Sequence, residues 1–235
     1  MKSVKNERGN ASFYLIWMTF ILGLMLILVM NIADVFLVNQ QASIGAEQAS
    51  IAATDVVFEA VRDAVDDYDD YLEEKFYLTA AIGEIFQIEW TLGYRINEKE
   101  QDLLHSGYSA NEAAIEAVDS VVTSHLPGDD GKLKDFIIQE IGNKTPTIRS
   151  VVSSVISSNK GDTTNAKVTL FKEESGSFSV GSSFHVEVVS SKEFKGTEFQ
   201  SFISSVEEDM KQVSLGPTID FAKKLHYPVS TFYVH

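Results

Sequence analysis

Four groups of residues could do chemistry by type and spacing: the histidines, a serine–lysine pair, a run of carboxylates, and the polar residues bordering the most apolar stretch. The five histidines, His105, His125, His185, His226 and His235, are scattered. None forms an H-x-x-x-H or H-E-x-x-H pair, the spacing that puts two ligands on one helical face. Ser157-Ser158-Asn159-Lys160 has the S-x-x-K spacing of a nucleophile and its base, but that chemistry also needs a K-T-G partner, which the chain lacks. No G-x-S-x-G elbow, P-loop or dinucleotide fingerprint occurs. The 235 residues include no cysteine, which removes thiolate zinc, iron–sulfur and cysteine-nucleophile chemistry. No enzymatic activity, cofactor or metal site is therefore expected.

Carboxylates are the one abundant reactive group. Asp55 to Glu74 carries nine acidic residues against Arg62 alone, more than half of the formal net charge of -15. Asp63, Asp66, Asp67 and Asp70 would share one face of a helix. A calcium loop requires the D-x-[DN]-x-[DN]-G pattern, and VDDYDDYLEE has neither that spacing nor the glycine, so a solvated helix face is expected. The acidity also argues against nucleic acid, whose phosphates are bound by basic surfaces.

The elements that would carry these residues begin with an apolar run. From Gly9 to Ala33 there is no charge, and Phe13 to Met30 is apolar on nearly every helical face. Ala11 to Ala33 would reach roughly 34 Å as a helix, enough to cross a hydrocarbon core. The run is too long for the core of a cleaved secretory signal, so a retained anchor is expected. Lys2, Lys5 and Arg8 against Glu7 precede it, while Asp34, Glu47, Asp55 and Glu59 follow. The positive-inside rule then predicts a cytoplasmic tail over 1–9, a transmembrane helix over 10–33 and an extracytoplasmic remainder in a single-pass cell-membrane protein. Asp34 marks the outer boundary or an assembly contact. Asn31, one turn inside, could hydrogen-bond another helix.

Past Asp34 no proline or turn cluster intervenes, which predicts one long helix over 34–74. Val35, Val38, Ala42, Gly45, Ala49, Ala52 and Val56 are spaced alternately by three and four, the seam of a helix that packs on another helix. Their small size permits close backbone approach. The seam alone leaves open whether it faces the chain's own domain or a second subunit.

The order Glu7-Arg8-Gly9, apolar segment, Asp34, Asn39-Gln40-Gln41-Ala42, then Gly45-Ala46-Glu47-Gln48-Ala49-Ser50-Ile51-Ala52-Ala53 resembles the N-terminal region of TadE/TadG-like proteins of bacterial tight-adherence (Tad, or Flp) pilus assembly. The resemblance covers residues 7 to 54. It departs from type IV prepilins in having Tyr14 where a glutamate follows the processed glycine by five residues, and in its longer outer part. It implies a membrane-anchored, pilin-like or pilus-assembly structural component. Its partners would be the lipid bilayer and pilin-like subunits or the assembly platform, in a homo- or hetero-oligomer made through the N-terminal helix. The alternative is a membrane-anchored extracytoplasmic sensory or ligand-binding protein.

An α+β domain is expected over 75–235. Helices are predicted over Phe76–Trp90, from a capping box at Ser109-Ala110-Asn111-Glu112 to near Pro127-Gly128, over Lys132–Ile141 and over Thr147–Ser158, the last two divided by Gly142 and Pro146. Alternation then takes over in Ala166, Val168, Leu170 and in Phe184, Val186, Val188, predicting antiparallel strands, with a final strand over Thr231–Val234.

Overall fold

A computed structural model describes residues 8–79, 91–174, 182–194 and 208–234. The fold is α+β. Helix α1 runs without interruption over Arg8–Thr79, so the apolar stretch and the small-residue stretch are one element. Helices α2 (Leu92–His105) and α3 (Ala110–His125) follow, then a 3₁₀ turn at Leu126–Gly128 and α4 (Lys132–Ser158). Strands β1 (Asp162–Glu174), β2 (Ser183–Phe194) and β3 (Glu208–Leu215), a single-turn α5 (Ala222–Leu225) and β4 (Ser230–Tyr233) complete the chain. The helix expected over Phe76–Trp90 falls largely outside the described residues.

The four strands form one antiparallel sheet in the order β3-β2-β1-β4. Helix α1 lies over β2 and β3, and α4 lies beside it near β1. The two helices run antiparallel: Asn159 Nδ2 donates to Gln48 Oε1 at 2.9 Å, Lys144 bridges Glu59 and Asp63 at 2.8 and 2.9 Å, and the Tyr71 ring lies tilted against Phe136. Ala49, Ala53, Val57, Ala60, Val61 and Ala64 of α1 meet Ile141, Ile148, Val152 and Ile156 of α4 and Val168, Leu170, Val186 and Val188 of the sheet in one core. The second half of α1 is thus the central helix of the folded body.

Ser109 caps α3 as its sequence predicts, with the Ser109 side chain accepting from Glu112 N and Glu112 accepting from Ser109 N. The predicted division of α4 is corrected. The helix passes through Pro146 unbroken. A proline inside a helix removes one N–H and crowds the carbonyl four residues back. Here that residue is Gly142, which has no side chain to add to the crowding. Both positions face solvent, where water can satisfy the freed carbonyl, while Ile141 and Ile148 on the opposite face are fully buried and hold the axis in place.

Candidate functional site

Among the described residues α1 is the one helix long and apolar enough to cross a membrane. The large apolar side chains of its first part are exposed. Phe13, Leu15, Ile16, Trp17, Phe20, Leu26 and Met30 are all more than half exposed. Among the described residues the first hydrogen bonds from α1 to the sheet are those of Asn39, whose Oδ1 accepts from Gln212 Nε2 of β3, and Gln41, whose Oε1 accepts from Lys192 Nζ of β2. The polar Asn39-Gln40-Gln41 spacer therefore marks the point where the head takes hold of the helix.

The seam residues divide at the same place. Ala42, Gly45, Ala49 and Val56 are buried by the chain's own sheet and α4, and Ala52 is part-buried. Val35 and Val38 lie below the head and are part-buried. A Cβ added at Gly45 would lie 3.5 Å from Asn159 Cβ and 3.6 Å from Ser190 Oγ, so the approach is close without being tight. Asn31 is part-buried and Asp34 exposed. Because β2, β3 and α4 already occupy the seam from Ala42 onward, leucine substitutions there act on the head itself. Ala49→Leu is expected to lower its stability by about 1–3 kcal/mol through overpacking. Ala52→Leu should cost under about 1 kcal/mol, since that side chain has room outward. Urea titrations followed by circular dichroism check the pair.

A second stripe, which the small-residue seam obscured, lies on the side of α1 facing away from the head. Leu37, Ile44 and Ile51 recur at intervals of seven and are exposed by 52%, 41% and 41%. Their spacing keeps them on one line of a helix, continuous with the apolar half below. The signal was present in the sequence, but polar residues between these positions dilute it.

The reactive groups are held in structural roles. Asp69, burdened by burial and pushed above the ordinary carboxylate range, accepts from Leu92 N and Gly93 N at 2.9 and 2.8 Å and so caps the start of α2. Asp63 pairs with Lys144, and Arg62 with Glu100 at 2.6 Å. Tyr68 donates to Asp129 Oδ1 at 3.0 Å and lies 3.3 Å from His125 Nε2. Burial, and then the bond to Asp129, raises the Tyr68 phenol, while burial lowers His125. A phenol and an imidazole both kept neutral tie α1 to α3 and its following loop. Ser157 sits in the last turn of α4, where its carbonyl accepts from Lys160 N at 2.9 Å. Penicillin-binding chemistry uses the serine at a helix start. His185 is held between Gly216 O and Ser183 Oγ at 2.8 and 2.9 Å. Among the described residues no group of three or more histidine, aspartate or glutamate side chains could hold a metal ion; His235 lies outside them.

The most coherent surface feature is therefore an unburied apolar helix half that continues upward as the Leu37–Ile44–Ile51 line. No protein-family model matches this chain, and neither a curated protein nor a solved structure is detectably similar to it.

Proposed function

We propose that the chain is a single-pass membrane protein with a cytoplasmic N-terminus, whose head stands outside the membrane as a structural component of a tight-adherence-type pilus assembly. The observation that carries this reading is the continuity of α1: over residues 13–30 it is apolar on nearly all sides and largely exposed, and its second half is the centre of the head. An apolar helix half of that kind is stable in lipid or against equally apolar helices. Both environments are what a subunit moving between bilayer and assembly would meet. The resemblance of residues 7 to 54 to TadE/TadG-like proteins supplies the system.

In this reading neighbours pack along Leu37, Ile44 and Ile51 rather than along the small-residue seam, which the head occupies from Ala42 onward. Asn31 can add a hydrogen bond between helices, and Asp34 marks the water boundary.

The absence of cysteine makes topology directly measurable. Ser3→Cys and the exposed Ser120→Cys are expected to label differently with a membrane-impermeant maleimide: the second in intact cells, the first only after lysis. The reverse pattern would sink the orientation, and equal labelling in intact cells the anchor itself. Oxidative cross-linking of Ile44→Cys, but not of exposed Ser120→Cys, is the result expected for helix neighbours.

A further inference from the structure

At the edge of the sheet α4 overhangs a groove of about 590 Å³, lined by Thr145, Pro146, Arg149, Ser150, Ser153 and Val234 among others. Three observations give it a chemical character. The Arg149 guanidinium lies 5.6 Å from the centre of the Phe232 ring, so its position is fixed by a cation–π contact. Its Nε is buried and has no hydrogen-bond partner. Among the described residues no carboxylate lies within ion-pair distance of it, in a chain with 34 acidic residues against 19 basic ones. A part-buried guanidinium held in place, with Nε unmatched and no carboxylate near it among the described residues, is suited to receive an anion from outside.

The groove also borders the end of the sheet, where among the described strands nothing pairs beyond Thr231 of β4. Among the described strands β4 is the last of the sheet and pairs with β1. Val234 N donates to Ala166 O at 3.1 Å, and Phe232 stands opposite Val168. By the alternation of an antiparallel ladder, the backbone N–H and C=O of Thr231 face away from β1. A strand added there would continue the sheet under α4, with its inward side chains entering the groove. The serines on that wall are small enough to leave room for them.

We propose that this groove binds an extended peptide segment bearing a carboxylate side chain, which adds to β4 as a fifth strand and places its carboxylate on Arg149. The edge supplies backbone hydrogen bonds and therefore affinity for any extended chain, while Arg149 supplies the charge selectivity. This inference does not rest on the pilus reading, since a strand-binding edge would serve an anchored ligand-binding protein equally.

The test uses the full chain, isotope-labelled and held in detergent micelles. The probe is a blocked five-residue peptide alternating threonine and valine with a central aspartate, compared with its asparagine counterpart and with acetate alone. The expected result is a saturable shift of both the Arg149 Nε–H signal and the Thr231 amide with the aspartate peptide. Binding should be about tenfold or more weaker for the asparagine peptide and for Arg149→Gln, the loss expected when one partner of a charged hydrogen bond is removed. Ser153→Phe, which fills the groove and leaves the charge, should abolish both shifts. Absence of saturation at millimolar peptide overturns the proposal, as does equal binding of the two peptides. A shift at Arg149 matched by acetate, with Thr231 unmoved, would show an adventitious anion site and overturn strand addition.

Discussion

Gly216→Val is expected to destabilise the head by about 3–5 kcal/mol, enough to remove a third or more of a typical domain's stability. The reason is contact between two backbones. A Cβ at this position would lie 2.3 Å from Thr54 Oγ1 and 2.8 Å from the Ser50 carbonyl oxygen of α1, closer than real Cβ contacts. Neither side can yield. Gly216 N donates to Val186 O at 2.9 Å, and its own carbonyl accepts from His185 Nδ1 at 2.8 Å, which pins the residue to β2. On the other side Ser50 and Thr54 are fully buried, flanked by the equally buried Ala49 and Ala53. A double-mutant cycle tests the mechanism. Adding Thr54→Ala to Gly216→Ala should recover part of the loss, because it removes the nearer clash but leaves the Ser50 carbonyl. Strictly additive urea-unfolding energies would refute this account.

Asp119→Ala should cost about 2–5 kcal/mol, because it orphans two backbone donors at once. Asp119 is only 6% exposed, and its two carboxylate oxygens accept from Asp220 N at 2.9 Å and Phe221 N at 2.8 Å. These bonds hold the entry to α5. Phe221, fully buried, stands edge-on to both Phe58 of α1 and Phe171 of β1, so one carboxylate on α3 fixes a three-way aromatic contact.

The same site has a pH signature. Burial pushes the Asp119 carboxyl up to about 6, against the pull of the two N–H groups, with the Asp220 and Glu116 carboxylates adding to the rise. A carboxyl with a raised folded pKa contributes stability that is fully present below its unfolded value near 4 and is lost as pH rises through 6. Asp119→Asn carries no such titration. Its cost relative to the natural residue should therefore be larger at pH 4.5 than at pH 7.5. A cost independent of pH across that range would mean that Asp119 titrates alike in the folded and unfolded chain.

Periodicity made some of this legible and hid the rest. The unbroken α1, the capping box at Ser109 and the strands through Val168 and Val186 follow from spacing and side-chain type alone. Pro146 misled because a proline's damage depends on what stands four residues earlier and on which face it occupies; with Gly142 there and water outside, the helix survives. β3 was invisible for a different reason. Its inward residues Gln212 and Ser214 meet polar Asn39 and Ser50 of α1, so the usual apolar alternation is absent where helix and strand exchange hydrogen bonds instead. From Ala42 onward the Ala-rich stretch lies against the chain's own sheet and α4, and its spacing carries no information about ownership of the opposing face. Arg149 gave no signal, because a single arginine on a helix carries no spacing that points to a site.

The uninterrupted α1 also fixes an angular phase. Each residue in a helix turns the chain by about 100° and lifts it by about 1.5 Å, so the azimuth of the sheet around the α1 axis, relative to the apolar stretch, is set by the residue count between Met30 and Asn39. Inserting one residue there would swing the β4 edge by more than a quarter turn while hardly raising it. Inserting seven, almost two full turns, would restore the bearing and lift the head by about 10 Å. The helix thus acts as a compass: two copies that shared a contact line on α1 would present their sheets in the same direction.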